Sequence, residues 1–311
     1  MKYAIEINNL NKIYSPNKRS KTKISALNNV NLKIKKGSFF GLLGPNGAGK
    51  STIINILSGL VNKTSGHVKI CDLDIDDQKQ LAKYKIGIVP QEITFDPFFT
   101  VYETLEIYAG YYGIKKSERK TNEIINAMGL SDKSKSKPRN LSGGMKRRLL
   151  IAKSLVHSPE ILVLDEPTAG VDVDLRNQLW DYVKELNKNG TTILLTTHYL
   201  EEAEQLCDEI AVINNGKVIA HDKKDKLMNI LSQKDLIISV DNFDKIKKFN
   251  LKIKNTKIYK ISDDKISINY DPNIISVETI LKSLSEAKIE INDISTTQPD
   301  LEEIFKYLVK L

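Results

Sequence analysis

Two short glycine-rich segments contain the residue types that bind phosphate groups. The first, residues 44–51, reads Gly-Pro-Asn-Gly-Ala-Gly-Lys-Ser and matches the P-loop pattern G-x-x-x-x-G-K-[ST]. In this pattern the glycines let backbone N–H groups approach the phosphates, the lysine reaches the β- and γ-phosphates, and the serine hydroxyl coordinates Mg²⁺. The predicted nucleotide-binding residues are Gly44, Pro45, Asn46, Gly47, Ala48, Gly49, Lys50, Ser51 and Thr52. Ser51 is also a predicted metal ligand.

The second segment, residues 141–145, reads Leu-Ser-Gly-Gly-Met and precedes a predicted helix over residues 146–156. A helix N-terminus binds anions because its first backbone N–H groups have no partner within the helix. This N-terminus has no phosphate of its own to hold. We therefore expect Ser142, Gly143 and Gly144 to bind a phosphate that another subunit supplies.

The elements around these segments alternate between strand and helix, which is typical of an α/β protein with a largely parallel sheet. A short apolar strand over residues 39–43 leads into the P-loop, and a helix over residues 52–60 follows it. The continuous apolar runs 161–164 and 192–195 are typical of strands that are covered on both faces. Asn215-Gly216 is a hairpin turn signal between two apolar runs. We place the end of the first domain, residues 1–222, shortly after this hairpin.

Two adjacent carboxylates, Asp165 and Glu166, follow the apolar run 161–164. Desolvating two acids at the end of a buried strand is costly without a cation, which favours a metal-binding role. The placement predicts that Asp165 holds Mg²⁺. The adjacent Glu166 is the candidate general base, an assignment that rests on a family resemblance as well as on this placement, with a helix N-cap pair as the alternative.

Residues 223–311 form a predicted second domain of different character. Strands are predicted over residues 236–240, 257–261, 265–270 and 289–295, and helices over residues 277–287 and 299–311. The last helix is amphipathic, with Leu301, Ile304, Phe305 and Leu308 on one face. This region is predicted to be a small α+β accessory domain.

The composition limits the possible functions. The net charge is +8 and the sequence pI about 9.1, but the basic runs 18–23 and 133–137 contain no aromatic residue on which a base could stack. We expect no nucleic acid partner. The mean hydropathy is −0.30, and no apolar stretch reaches the length of a membrane span. The N-terminal residues alternate like a strand, unlike a signal peptide, and two cysteines suit a reducing cytosol.

The motifs together resemble the ATP-binding subunit of an ABC transporter. The resemblance covers roughly residues 3–222, with Leu-Ser-Gly-Gly-Met as the signature sequence and Asp165-Glu166 ending the second nucleotide-binding motif. It implies a P-loop nucleoside triphosphate hydrolase of ABC type, with an antiparallel β part and a helical subdomain added to the parallel sheet. The implied ligands are ATP and Mg²⁺.

The resemblance also assigns functional roles to residues that the sequence pattern alone does not single out. Gln91 matches the glutamine that touches magnesium and the attacking water, and His198 matches the histidine that senses the γ-phosphate. Tyr14, shortly after the first predicted strand, matches the aromatic residue that stacks on adenine, with Tyr3 as the alternative. Asp172 matches a loop that crosses between subunits, although Val173 and Asp174 follow it where the family often has proline. The predicted catalytic residues are thus Glu166, His198 and Gln91, and the predicted metal ligands are Ser51, Gln91 and Asp165.

The resemblance implies two partners. Because each chain has one copy of each half-site, the simplest assembly is a head-to-tail homodimer with two ATP sites. The second partner is a separate multispanning membrane permease, which would dock on an aromatic segment that contains Phe95, Phe98 and Phe99. The nearby tyrosines at 108, 111 and 112 are explained as well by a helical core face.

The expected function is therefore an ATPase subunit that powers export, peripheral to the cytoplasmic face of the membrane. The segment at residues 299–305 resembles the exporter branch of the family, which handles drugs and polysaccharides; a capped helix closing a small domain explains the same residues. An importer subunit and a soluble ABC-type ATPase that remodels ribosomes or nucleic acid are the alternatives. A catalytically idle dimer is disfavoured because Glu166 and His198 are both present.

Overall fold

A computed structural model describes residues 2–15, 22–168, 173–230, 233–240, 253–287, 289–297 and 299–310. The chain divides into two compact units, Met1–Lys224 and Asp225–Leu311. The sequence places the domain boundary two residues earlier, after residue 222.

The strands of the larger unit are β1 (Tyr3–Tyr14), β2 (Ile24–Lys35), β3 (Phe39–Leu43), β4 (Ser65–Ile70), β5 (Leu73–Asp74), β6 (Ile86–Val89), β7 (Ile161–Asp165), β8 (Thr192–Thr196), β9 (Glu209–Asn214) and β10 (Lys217–Lys223). Its helices are α1 (Lys50–Leu57), α2 (Lys79–Tyr84), α3 (Val101–Tyr111), α4 (Thr121–Ala127), α5 (Gly143–Leu155), α6 (Val173–Lys188) and α7 (Leu200–Leu206), followed by α8 (Lys224–Met228) at the boundary.

A six-stranded sheet with the order β10-β9-β3-β8-β7-β6 forms the centre of this unit. Its ladders are parallel except for the β9–β10 hairpin. Every residue of β3, β7 and β8 is buried, as their continuous apolar sequences predict. Because parallel strands end at the same edge, the residues that follow β3, β6, β7 and β8 meet there. The predicted largely parallel sheet is confirmed.

A second, antiparallel sheet has the order β2-β1-β4-β5. Its inward side chains pack with α1 and one face of the parallel sheet in a single apolar core, which includes Ile5, Leu27, Phe40, Ile53 and Val163. This core holds the P-loop helix between the two sheets. The antiparallel part of the predicted fold is confirmed.

The structure corrects two element boundaries near the predicted site. Tyr14 is the last residue of β1, paired with Ile24, and does not follow the strand as predicted. Helix α5 begins at Gly143 and not at residue 146, because the Ser142 hydroxyl accepts a hydrogen bond from the Met145 N–H (3.2 Å) and so caps the helix. The capping bond offsets the low helix propensity of the two glycines.

The smaller unit is an α+β fold. Its strands β11 (Lys234–Val240), β12 (Thr256–Lys260), β13 (Lys265–Tyr270) and β14 (Ile291–Thr297) form an antiparallel sheet with the order β12-β13-β11-β14. Helix α9 (Val277–Glu286) contributes Ile280 and Leu284 to a core with one face of the sheet, and α10 (Leu301–Lys310) is the last helix. The last strand begins two residues later than the predicted residue 289. In the described part of the chain, no helix is both long and apolar enough to span a bilayer.

Candidate nucleotide-binding and hydrolysis site

A cavity opens where the P-loop meets the carboxyl edge of the parallel sheet. Its lining consists of the loop residues Asn46, Gly47, Ala48, Gly49, Lys50, Ser51 and Thr52 together with Gln91, Glu166 and His198. Gly44 and Pro45 precede these residues at the end of β3. The structure thus brings the predicted phosphate-binding loop and the three predicted catalytic residues to one place.

The loop backbone needs glycine at two positions where a side chain would collide with main-chain atoms. A Cβ on Gly44 would lie 2.3 Å from the carbonyl oxygen of Ile213, and one on Gly49 would lie 2.9 Å from that of Ala26. Gly49 also has a φ of 113°, a conformation that L residues rarely adopt. It precedes α1, whose N-terminus has no side-chain cap. The loop is therefore shaped to leave backbone N–H groups available to an anion.

Lys50 begins helix α1 and turns its ammonium group back over the loop. Its Nζ donates hydrogen bonds to the carbonyl oxygens of Gly44 (2.6 Å) and Pro45 (3.1 Å). Burial lowers the pKa of Lys50, and the negative charges of Glu166 and Asp165 oppose this shift. The lysine thus provides a positive charge in a partly desolvated position beside the cavity, where a phosphate would be attracted strongly.

Asp165 ends strand β7 as a buried carboxylate. Its Oδ1 accepts a hydrogen bond from the Thr196 hydroxyl (2.5 Å), on the adjacent strand β8, to which it is paired in register. Burial raises the pKa of Asp165, whereas the hydrogen bond from Thr196 and the nearby cations Lys50 and Arg147 lower it. The carboxylate is desolvated with few partners, and a cation would stabilise it.

Glu166 is placed by a turn in the backbone directly after β7. Its φ of 48° lies in the left-handed region, and its N–H donates to the carbonyl oxygen of Thr196 (3.0 Å). The carboxylate accepts a hydrogen bond from Gln91 Nε2 at Oε2 (2.7 Å), and the same oxygen lies 3.5 Å from Nδ1 of His198. Strained backbone is often found at functional sites. The three side chains form one polar group that faces the P-loop.

His198 and Gln91 are both accessible within this group. The side chain of His198 is half exposed, and its ring lies against that of Tyr199 with the centroids 4.0 Å apart. Gln91 follows β6 and is exposed, so its amide contact with Glu166 borders solvent. Both residues can therefore reach a ligand in the cavity as well as Glu166.

Two residues that the sequence did not single out support the site. Thr196 connects β8 to Asp165, as described above. Arg147 is buried in α5 and donates to the carbonyl oxygens of Pro90 (2.9 Å) and Gln91 (3.0 Å). Helical periodicity in the sequence could have identified Arg147 as a buried residue, because it lies on the same helix face as Leu150 and Ile151. An arginine at such a position needs polar partners.

Several predicted residues do not line the cavity. Ser142 and Gly143 are exposed at the start of α5, and Gly144 is buried there. Tyr14 is 37% exposed at the end of β1, with the Lys12 ammonium 4.7 Å from its ring centroid. Asp172 lies outside the described residues. The shared-site roles of the signature residues and the adenine-stacking role of Tyr14 stay predictions.

The aromatic segment after Gln91 is largely exposed. Phe98 is 74% exposed and Phe99 is also exposed, whereas Phe95 is half-buried, with its ring centroid 5.6 Å from the ammonium of the half-buried Lys153. Among the tyrosines of α3, Tyr111 is 75% exposed. An apolar surface of this kind is typical of an interaction site.

Tyr108 and Tyr112 pack against neighbouring side chains. The Lys153 ammonium lies 4.7 Å from the ring centroid of Tyr108, and the ring of Tyr112 stacks on His157 with the centroids 3.8 Å apart. The alternative interpretation, in which these tyrosines belong to a helical core face, therefore fits Tyr112 better than Tyr111.

The predicted metal ligands are hard oxygen donors. The Ser51 hydroxyl lines the cavity, and Gln91 uses its amide N–H on Glu166, which leaves the amide oxygen for another partner. Among the described residues, no group of three or more His, Cys, Asp or Glu side chains could hold a metal by itself. Mg²⁺ is commonly bound through one or two carboxylates together with substrate phosphates and water. Ser51 and Gln91 line the cavity, whereas Asp165, the residue directly before Glu166 at the end of β7, does not. The donor types of all three residues suit a Mg²⁺ ion of that kind.

The fold and the site define a P-loop nucleoside triphosphate hydrolase. Comparison with known proteins narrows this class. Residues 27–169 match the family model described as ABC transporter. The linearmycin resistance ATP-binding protein LnrL of Bacillus subtilis is 37% identical over 295 residues, which cover 93% of this chain and 94% of that protein. This chain belongs to the ABC transporter family, as an ATP-binding and ATP-hydrolysing subunit.

Further relatives and solved structures agree with this assignment. A Nod factor export ATP-binding protein I of Cupriavidus metallidurans is 37% identical over 231 residues, covering 74% of each chain. A dimeric bacterial ABC transporter cassette is 30% identical, with a TM-score of 0.64 over 71% of this chain and 98% of that one. A dimeric cassette in a post-hydrolysis state with ADP and Pi is 29% identical, with a TM-score of 0.64 over 71% and 98% of the two chains. The predicted fold class is confirmed.

Proposed function

We propose that this chain hydrolyses ATP with Glu166 as the general base and uses the reaction to power export through a separate membrane permease. The observation that carries the proposal is the position of the Glu166 carboxylate. It faces the P-loop cavity and contacts both Gln91 (2.7 Å) and His198 (3.5 Å). Phosphoryl transfer to water needs a positioned acceptor for the water's proton and cations around the phosphates. Glu166 and Lys50 both line this cavity and would meet these two requirements.

Each of the site residues has a separate role in the proposed hydrolysis reaction. The backbone N–H groups at the start of α1 and the Lys50 ammonium hold the phosphates. Glu166 orients the attacking water and takes its proton, and Gln91 keeps the carboxylate in place through its amide N–H. His198 contacts the γ-phosphate, so its position depends on whether ATP or ADP is bound. Tyr14 stacks on the purine.

We assign Mg²⁺ to Ser51, Gln91 and Asp165. The ion would neutralise charge that develops on the β- and γ-phosphate oxygens. The raised pKa of the buried Asp165 supports this assignment, because its cause, desolvation of the carboxylate, is the cost that a bound cation offsets.

The active assembly is a head-to-tail dimer of two copies. Ser142, Gly143 and Gly144 lie outside the cavity of their own chain, at a helix N-terminus that is suited to an anion. In the dimer they would bind the γ-phosphate held by the partner's P-loop, and Asp172 would contribute to the same shared site. The two structural relatives that are dimeric cassettes support this arrangement.

The permease docks on the exposed aromatic segment that contains Phe98 and Phe99, directly after Gln91. Docking there would connect the membrane subunit to a residue that contacts Glu166. The names of the relatives support export as the direction of transport, since they include a Nod factor exporter and a resistance protein. We place the chain at the cytoplasmic face of the membrane, where ATP is available.

The experiment is a pull-down from detergent-solubilised native membranes with the Glu166→Gln protein and ATP, which traps the ATP-bound form. Recovery of one multispanning protein is the expected result. Its loss from a Phe98→Ser/Phe99→Ser double variant would locate the docking segment. The matched control is Leu60→Ser, because Leu60 is 79% exposed elsewhere in the same unit. Recovery of ribosomes or nucleic acid without a membrane protein would overturn the proposed function.

A further inference from the structure

Arg147 is a buried cation whose hydrogen bonds all go to one loop. It is 3% exposed, and its Nη1 and Nη2 donate to the carbonyl oxygens of Pro90 (2.9 Å) and Gln91 (3.0 Å). Its Nε has no hydrogen-bond partner. Burial lowers the pKa of Arg147, and the negative charges of Asp165 and Glu166 oppose this shift from a distance, since no described carboxylate lies within ion-pair distance of the guanidinium. Burying an arginine in this way is costly, so the two carbonyl contacts must be maintained to offset part of the cost.

The two carbonyl groups belong to the residues that bring Gln91 to Glu166. Strand β6 ends at Val89, and after it the chain has no regular secondary structure until α3 begins at Val101. A fork of two N–H groups on successive carbonyls restrains both the position and the direction of the backbone at Gln91. The Gln91 side chain then reaches Glu166 with a 2.7 Å contact.

The same arginine stands in helix α5, which begins at the capping residue Ser142. One rigid helix therefore connects the signature segment at its start with the loop that carries Gln91. In the dimer proposed above, a displacement of α5 by the partner's nucleotide would be transmitted to the Gln91–Glu166 contact of the same chain.

We propose that Arg147 is a positioning residue for hydrolysis, which holds Gln91 against Glu166 and makes this contact depend on the position of the signature helix. The proposal rests on the proposed function for the roles of Gln91 and Glu166. Arg147 does not line the nucleotide cavity. Its loss should therefore lower the rate of hydrolysis and leave the affinity for ATP nearly unchanged.

The chain offers a matched control at the next position. Arg148 is also in α5, and its Nη1 donates to the carbonyl oxygen of Met128 (2.9 Å), on the loop after α4 and away from the cavity. Burial lowers the pKa of both arginines, although Arg147 is the more deeply buried of the two. Arg147→Met and Arg148→Met remove the same group from the same helix, but only the first releases Gln91.

Steady-state ATP hydrolysis by the full chain is the first test. We expect Arg147→Met to lower kcat about 10- to 100-fold, the range for a misplaced catalytic group, with KM for ATP changed less than about 3-fold. Arg147→Lys keeps the positive charge and a single donor nitrogen in place of the two that contact the carbonyls, so it should recover part of kcat. It also serves if Arg147→Met fails to fold. Arg148→Met should keep kcat within about 3-fold of wild type.

A double-mutant cycle distinguishes positioning from general loss of structure. In a Gln91→Ala background the amide that Arg147 positions is absent, so Arg147→Met should lower kcat much less than it does in the wild-type chain. Multiplicative effects of the two substitutions would overturn the proposal. So would an Arg147→Met enzyme with wild-type kcat.

Limited chymotrypsin digestion provides a readout that does not depend on activity. Cleavage after Phe95, Phe98 or Phe99 should be about 5-fold or more faster in Arg147→Met and unchanged in Arg148→Met, because only the first variant releases this loop. Equal cleavage in both variants would overturn the proposal. If Glu166→Gln hydrolyses ATP at the wild-type rate, the proposed function fails, while the digestion still decides whether Arg147 holds the loop.

Discussion

Removing the hydroxyl group of Thr196 should destabilise the larger unit in a manner that depends on pH. The Thr196 hydroxyl donates a 2.5 Å hydrogen bond to the Asp165 carboxylate, which is 9% exposed. Thr196→Val keeps the shape of the side chain and leaves the carboxylate without this donor. Thr196→Ser keeps the hydroxyl and loses only a methyl group, so it is the matched control.

The magnitude follows from the kind of bond that is lost. A hydrogen bond to a charged group contributes about 1.5–3 kcal/mol to stability, and a buried carboxylate left without its donor costs at least that much. In a domain of this size, about 1 kcal/mol corresponds to a change of roughly 2–4 °C in Tm. We therefore expect Thr196→Val to lower Tm by about 3–12 °C at pH 7.5. Thr196→Ser should lower it by less.

The pH dependence has a definite sign. Burial already raises the pKa of Asp165, and the bond from Thr196 opposes that rise, so Thr196→Val raises this pKa further. When the pKa of a carboxyl group is higher in the folded than in the unfolded state, the free energy of unfolding of the protein falls as the pH increases through the folded pKa. The difference in unfolding free energy between Thr196→Val and wild type should thus grow as the pH rises through the folded pKa of Asp165.

The assay is urea unfolding over a pH series from the acid limit of the folded protein up to pH 7.5, in nucleotide-free buffer with EDTA so that no metal occupies the site. A destabilisation that is the same across the whole series would show that the bond to the ionised carboxylate is not its source. If Thr196→Ser lost as much unfolding free energy as Thr196→Val, the hydrogen bond from the hydroxyl would likewise not be the source of the destabilisation.

Three further predictions concern the site and its support. Glu166→Gln should slow single-turnover hydrolysis by about 10²- to 10⁴-fold with ATP binding retained, because the amide can still contact Gln91 but does not act as a base; near-normal turnover would remove Glu166 from that role. Ser142→Arg should block ATP-dependent dimerisation, measured by sedimentation, without abolishing binding to the monomer, and a variant that dimerises with ATP would refute the shared site. Glu160 bonds to Lys36 (2.6 Å) and Lys85 (2.7 Å), which lower its pKa to about 2. Glu160→Gln should therefore lower Tm at pH 7, and the deficit should shrink as the pH falls from about 4.5 towards 2 in thermal melts, since this stabilisation is lost when Glu160 is protonated.

Much of the molecule could be predicted from local patterns. The run Phe39–Leu43, the glycines of the P-loop and the following helix specify a strand, an anion-binding turn and a helix within a few residues of one another. Such features depend on the chemistry of neighbouring residues, which is readable in one dimension. The α/β class, the antiparallel hairpin at Asn215-Gly216 and the helical and strand segments of the smaller unit follow for the same reason.

The boundaries that were predicted less well depend on single hydrogen bonds and on pairing partners. Helix α5 begins at Gly143 because the Ser142 hydroxyl caps it, although two glycines disfavour a helix on propensity alone. Tyr14 belongs to β1 because its backbone pairs with Ile24 across an antiparallel ladder. In both places a specific contact outweighs the local preference.

The chemistry that this protein has available can be read from its amino acids: a phosphate-binding loop, two acids at a strand end, and a signature segment without a phosphate of its own. Which of these groups meet, and which residues hold them, depends on how the elements pack. The Thr196–Asp165 bond joins adjacent strands, and the Arg147 contacts join α5 to the loop after β6. Such contacts arise because packing buries polar groups that must then find partners, and residues distant in sequence supply them. No local pattern specifies which residue that partner will be.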